Sequence, residues 1–293
     1  MTTADATAAD AAAAALATAC GAVSAFEEAP GGVWRVEGFT TAAPQRGMVE
    51  VALALAWASS SQTPPTLAIE SVPPRDWLGD NQASFPPMHV GRFVVHGSHH
   101  RVVVPPGRIG LLIDAATAFG TGEHATTRGC LMALQRVAKR GRPRRLLDMG
   151  SGTGILAIAA ARTWRRCVLA RDIDAEAVRV TAANAARNGV AALVRARRST
   201  GFRDRGVRRA APYDLIFANI LACPLAAMAP ELAARLAPGG MAILSGLLAN
   251  QEAYVLAAYR LQHLVLAARI ALDGWHTLLL RRPDYSLPPR RSR

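Results

Sequence analysis

Lysine is almost absent from this 293-residue chain: of 34 basic residues, only Lys139 is not an arginine. Aromatic residues are scarce at 5%, and there are four cysteines, Cys20, Cys130, Cys167 and Cys223. The cysteines form neither a C-x-x-C pair nor a zinc-ligand spacing, so a metal framework is not expected and buried, reduced thiols are. The adjacent His99 and His100 point to opposite faces if extended, which makes them poor partners for one ion. No apolar run approaches the roughly 20 residues of a membrane helix. The alanine-rich stretch Ala11 to Ala25 lacks the basic flank of an export signal, since the first basic residue is Arg35. A cytoplasmic protein without membrane association is therefore expected. No repeat of solenoid length occurs.

What is present is an apolar content of 51%, enough for a substantial core, and a net charge of +13. The charge raises the possibility of contact with ribosomal RNA. Basic residues cluster in Lys139 to Arg145, Arg195 to Arg209 and Arg281 to Arg293. Only Phe202 interleaves with the second cluster and no aromatic with the first, so neither resembles a base-stacking platform. The abundance of Arg, Ala, Gly and Pro together also fits a GC-rich coding bias, with a solvated basic surface as its consequence.

Three regions follow from composition and periodicity. Residues 1–72 read as a small α+β domain: helix formers from about 8 to 24, strands near Val23 to Phe26 and Val33 to Phe39, a helix over Met48 to Ala58 and a strand over Thr66 to Ser71. Residues 73–87, between Pro73-Pro74 and Pro86-Pro87, read as a linker. Residues 88–293 form the larger domain. Its start suggests a hairpin of Phe93 to Val95 with Arg101 to Val104. From Arg144 onward strands alternate with helices, the pattern of a mainly parallel α/β sheet. The expected strands are 146–149, 167–171, 192–196, 214–218, 241–245, 265–271 and 275–280, with helices near 155–163, 175–188, 225–236 and 249–258. Asp273-Gly274 marks a closing antiparallel hairpin.

The loop Gly150-Ser151-Gly152-Thr153-Gly154 follows the first of these strands. Glycines there let the backbone approach a ligand with no Cβ in the way. A dinucleotide fingerprint needs glycine after Gly154, where Ile155 stands, which favours S-adenosylmethionine over NAD. Asp172 ends the next strand, where a carboxylate can accept hydrogen bonds from ribose hydroxyls. Asp174 is expected to cap the following helix, with Glu176 in its first turn. Asn219 ends the strand Asp214 to Ala218, at the sheet edge where α/β ligands bind.

The segment Phe119-Gly120-Thr121-Gly122-Glu123-His124-Ala125-Thr126-Thr127, the glycine loop, Asp172-Ile173-Asp174, Asn184 to Gly189, Ala218-Asn219-Ile220-Leu221 and Leu244 to Leu248 together resemble the PrmA family, the methyltransferases of ribosomal protein L-11. The resemblance runs from about Asp76 to Leu280. It implies a Rossmann-like S-adenosylmethionine-dependent methyltransferase fold with an N-terminal substrate-recognition domain. It also implies protein amines as acceptors, the N-terminal α-amine and lysine side chains of L-11, and cofactor contacts at Thr127, Gly150, Asp172 and Asn219. No catalytic residue is assigned; His124 is open to reading as a base or as a shaper of its loop. Glu123 and Ala125 depart from the family loop without touching its glycines or threonines. The family's recognition domain is a ferredoxin-like β-α-β-β-α-β unit, whereas this chain enters on the first helix, so a truncated version is expected. Two other readings are a ribosomal or transfer RNA methyltransferase, favoured by the basic clusters, and a non-catalytic ribosome-binding protein that would bind no cofactor.

Overall fold

The computed structural model describes residues 1–3, 6–27, 32–58, 63–71, 86–114 and 125–284. Residues 73–85 of the expected 73–87 linker, the glycine loop of 119–122 with Glu123 and His124, and the tail from 285 lie outside the described residues. The chain divides into two units, Met1–Pro74 and Arg75–Arg293.

In the first unit, α1 (Ala6–Ala17) lays Ala9, Ala12 and Leu16 on a sheet of β1 (Thr2–Thr3), β2 (Ala22–Glu27) and β3 (Trp34–Phe39). Small alanines at helical spacing bring helix and sheet close together. Helix α2 (Arg46–Ala56) closes the core with Val49 and Leu53, joined by Val36 and Trp57. The strand order is β1-β3-β2, with antiparallel neighbours. Two expectations are corrected here. A strand does precede the first helix: Thr2 and Thr3 pair with Arg35 and Trp34, and the Met1 carbonyl accepts from Val36 N at 2.9 Å. Two threonines are too few for a periodicity. Conversely, Thr66 to Ser71 forms no strand. It follows Pro65, which carries no donor, and the two-residue β1 offers little edge to pair with.

The second unit begins with a sheet of β4 (Met88–Val90), β5 (Phe93–His96) and β6 (Ile109–Leu112). The partner of β5 beyond β4 is the parallel β6, not Arg101 to Val104. Val103 is 92% exposed whereas Leu111 is fully buried, so burial selected the other apolar run. Helix α3 (Ala125–Arg140) lies outside the helices expected from sequence; Thr126, Thr127 and Gly129 depress its propensity, while buried Leu131, Leu134 and Val137 hold it to the core.

The main sheet comprises β7 (Leu146–Met149), β8 (Val168–Asp172), β9 (Val194–Arg198), β10 (Tyr213–Asn219), β11 (Leu236–Leu248), β12 (Val265–Leu272) and β13 (Trp275–Arg281). Its order is β12-β13-β11-β10-β7-β8-β9, parallel from β11 to β9, with β13 antiparallel to both neighbours. Connecting helices are α4 (Ile155–Trp164), α5 (Ala175–Arg187), α6 (Arg205–Ala210), α7 (Ala222–Ala227), α8 (Ala229–Arg235) and α9 (Glu252–Arg260). The single helix expected over 225–236 is two, broken ahead of Pro230, which occupies the first turn of α8. The strand expected at 192–196 is displaced to Val194–Arg198, because its register follows the ladder to β8 rather than the apolar Ala192-Leu193 pair. Strand β7 lies between β8 and β10, where the order reverses, so a crevice opens at the carboxyl ends of these strands.

The thiols are less uniformly buried than expected. Cys130 is buried, Cys20 and Cys167 are half-buried, and Cys223 is exposed on the solvent side of α7. No described helix is long and apolar enough to cross a membrane.

Candidate active site

Gly150, Gly152 and Gly154 all have positive φ, at 74°, 52° and 82°, a conformation that side-chain-bearing residues avoid. The loop is clamped to β8: Gly150 N and Ser151 N donate to the Arg171 carbonyl at 2.7 and 3.0 Å. A Cβ on Gly150 would lie 2.4 Å from Ile220 Cγ2, so the loop abuts the turn that carries Asn219. Gly150, Asp172 and Asn219 thus converge on one sheet edge.

Asp172 is held by its own surroundings. Gly152 N donates to its Oδ2 at 2.8 Å and Asp174 N to its Oδ1 at 3.0 Å. Each oxygen keeps a lone pair for another donor. Asp174 caps α5 by accepting from Glu176 N at 2.9 Å.

Residues not singled out one by one from sequence build the walls. Thr181 Oγ1 donates to the Gly152 carbonyl at 2.9 Å, and Asn184 Nδ2 donates to the Thr153 carbonyl at 2.9 Å. Asn184 also exchanges bonds with the backbone of Asp114, and Asn188 with that of Leu112, so α5 ties the glycine loop to the end of β6. The available signal was the run of polar residues, Thr181, Asn184 and Asn188, on the buried stripe of an amphipathic helix. Asp148 is fully buried under the loop. Its Oδ2 accepts from Ala157 N at 3.0 Å and its Oδ1 has no partner. Burial pushes its carboxyl up to about 8, with the Ala157 bond opposing and the Asp172 charge adding.

Thr127 sits buried in the first turn of α3. That helix packs over Thr277 at Gly129, and Cys130 reaches Ser245 and Thr277, with its thiol pushed up by burial. Ser245 is the ladder partner of Asn219. The turn bearing Thr127 is thereby placed beside the carboxyl ends of β10 and β11. Behind it, Arg269 Nε donates to both oxygens of Glu252 at 2.9 and 2.7 Å, and His276 Nδ1 contacts the same carboxylate. Burial raises the Glu252 carboxyl, but the bonds from Arg269 and His276 outweigh it and hold the group below its ordinary range. The cluster fastens the β12–β13 hairpin to α9.

Gly246 has φ of 87°, and a Cβ there would lie 2.2 Å from the Ile220 carbonyl oxygen. Gly246→Ala is expected to destabilise the unit by about 2–4 kcal/mol, because the clash is with backbone. Denaturant midpoints compared with wild type measure it, and an unchanged midpoint would contradict the close approach.

The glycine loop after β7, the carboxylate at the end of β8, and a seven-stranded sheet closed by an antiparallel hairpin define a Rossmann-like, S-adenosylmethionine-dependent methyltransferase. Comparison with known proteins narrows the class. Residues 19–283 match the model of the family described as ribosomal protein L11 methyltransferase (PrmA). The chain is 47% identical over 262 residues to the ribosomal protein L11 methyltransferase of Bradyrhizobium diazoefficiens, covering 89% of this chain and 88% of that one. It is 42% identical over 259 residues to that of a Caulobacter species, covering 88% and 86%. Among solved structures, the ribosomal protein L11 methylase of Lactobacillus delbrueckii subsp. bulgaricus superposes with a TM-score of 0.62 at 26% identity, over 68% of this chain and all of that one. The chain belongs to the ribosomal protein L11 methyltransferase family.

Proposed function

We propose that this methyltransferase transfers methyl groups from S-adenosylmethionine to amino groups of ribosomal protein L-11, the N-terminal α-amine and lysine side chains. The observation that carries this reading is that the likeness to relatives bearing that name spans nearly the whole of both partners, not the cofactor fold alone. Residues 1–72 serve as the substrate-recognition domain and 73–87 as the linker. In support, β3 and the segment Leu67 to Ser71 border an open slot of about 530 Å³ in the first unit.

The cofactor fits the residues present. The loop glycines hold a positive-φ turn in which a Cβ on Gly150 would strike Ile220 and one on Gly154 would strike Thr181, and Asp172 has free lone pairs on an already ordered carboxylate. Gly150, Asp172, Asn219 and Thr127 would hold it. Bound there, its sulfonium supplies an activated methyl group. The chain then has to align the acceptor, a contribution of positioning rather than of acid or base chemistry. Asn219, half-buried at the crevice, offers an amide oxygen that can orient an amine. An α-amine with pKa near 8 arrives substantially neutral, whereas a lysine near 10.4 costs about 4 kcal/mol to deprotonate at pH about 7.4. Solvent takes that proton.

The experiment is transfer of labelled methyl groups into ribosomes from an unmethylated strain, followed by mass spectrometry. One modified large-subunit protein carrying label on amines is expected. Label in RNA would replace this reading with an RNA methyltransferase, and absence of cofactor binding would replace it with a non-catalytic ribosome-binding protein.

A further inference from the structure

Strand β9 forms the outer edge of the parallel half of the sheet. Its sequence is Val194-Arg195-Ala196-Arg197-Arg198, with Val194 buried and all three arginines exposed. Facing it, α6 is anchored by buried Val207 and by Asp204, which accepts from Val207 N at 3.0 Å. Arg205, Arg208 and Arg209, spaced by three and four residues, share the exposed face of this helix. Between strand and helix runs a groove of about 670 Å³ bordered by Arg195, Arg197 and Arg209, with Arg171 in its lining.

Arg171 is a buried cation, its side chain only 5% exposed. Its Nη1 donates to the carbonyls of Ala170 and Arg195, at 2.9 and 2.7 Å, while its Nε has no hydrogen-bond partner and lies 3.8 Å from Asp204. Arg203 is paired with Glu231. Arg195, Arg197, Arg205, Arg208 and Arg209 have no acidic partner among the described residues. Three of these, Arg195, Arg197 and Arg209, line the groove together with the buried Arg171, an excess of like charge relieved by an incoming anion. Their layout selects the anion. Alternate residues on a strand stand about 6.6 Å apart, so Arg195 and Arg197 present two neighbouring charges on one face, suited to successive charges of a polyanion. Guanidinium forks match phosphate oxygens. Among the described residues lining the groove there is no aromatic for stacking, and Phe202 nearby is buried, with Arg235 over its ring at 5.8 Å. Recognition would therefore track the backbone and not the bases.

We propose that this arginine-walled groove along β9 and α6 docks the phosphate backbone of RNA. The β9 row ends at Arg197, one residue before the ladder partner of Asp172, so bound RNA would reach the rim of the cofactor crevice. The inference goes beyond amine methylation and is read without any methyl acceptor, so its failure and that of the proposed function are distinguishable.

The test is fluorescence anisotropy of the full chain with a labelled oligouridylate at several salt concentrations. Binding should weaken with salt, the log–log slope changing by about 0.7 for each phosphate neutralised. Replacing Arg195, Arg197, Arg205, Arg208 and Arg209 together with glutamine should weaken binding at least about tenfold and reduce the slope by about 2 or more. The same five positions changed to lysine should retain most of the affinity. Replacing Arg136, Lys139, Arg140 and Arg142 with glutamine, an equally exposed basic cluster, should leave it unchanged. Circular dichroism and S-adenosylmethionine binding check folding; should the fivefold variant misfold, Arg195→Gln with Arg197→Gln alone must still reduce the slope. An unchanged slope in the folded variants, or an equal loss in the control, overturns the proposal. Competition by polyglutamate as effective as RNA, charge for charge, overturns it in favour of an acidic protein surface.

Discussion

Asp172→Ala is expected to weaken S-adenosylmethionine binding by at least about 100-fold. The carboxylate is ordered before any ligand arrives, each oxygen taking one backbone N–H, from Gly152 and from Asp174. Two ribose hydroxyls meeting it would form hydrogen bonds to a charged acceptor, each contributing about 1.5–3 kcal/mol. Losing both amounts to about 3–6 kcal/mol, or two to four decades in affinity. The substitution also releases the Gly152 N–H of the glycine loop and the Asp174 N–H of the following turn, so the loop loses part of its preorganisation. Asp172→Asn is expected to fall between alanine and wild type, since it keeps one acceptor and loses the charge. Isothermal titration calorimetry measures both, and unchanged affinity in the alanine variant would remove Asp172 from the site.

The second large effect concerns Asp148. Its carboxyl is raised in the folded protein to about 8 from an ordinary value of 3.8, chiefly by burial. Between those values the folded chain retains a proton that the unfolded chain has released. Stability contributed by the neutral acid is therefore complete below about 3.8 and is lost progressively as pH rises to about 8. Asp148→Asn removes the titration yet keeps an oxygen for the Ala157 N–H. Its stability relative to wild type is expected to rise across that window, by a few kcal/mol at the alkaline end. Urea midpoints at the two ends of the range measure it. A difference between variant and wild type that does not change with pH would show that Asp148 titrates normally.

Much of the larger unit was legible because its signals are local. Four-residue apolar runs such as Leu146 to Met149, the glycines after them, and Asp172 at a strand end follow from hydrophobic periodicity and backbone sterics, which a sequence displays directly. Asp273-Gly274 announced the closing hairpin in the same way, and both residues have positive φ. The misread elements share a different character. Thr2 and Thr3 become a strand only because β3 presents an edge to them, and Thr66 to Ser71, with suitable residues, finds no adequate edge. Arg101 to Val104 lost its place beside β5 to Ile109–Leu112, which can be buried there.

The glycine loop and its two following polar strand ends were thus determined by sequence alone, since each rests on residues within a few positions of one another, and the family resemblance rests on several such short motifs along the chain. Tertiary structure decided what surrounds them. It set Asn188 against the backbone of β6 and Asn184 against that of Asp114 just beyond it, some seventy residues away, sealed Asp148 from water, and turned a charge-rich stretch into the two walls of one groove. These are outcomes of desolvation and of contacts between distant segments, and neither quantity exists until the chain has folded.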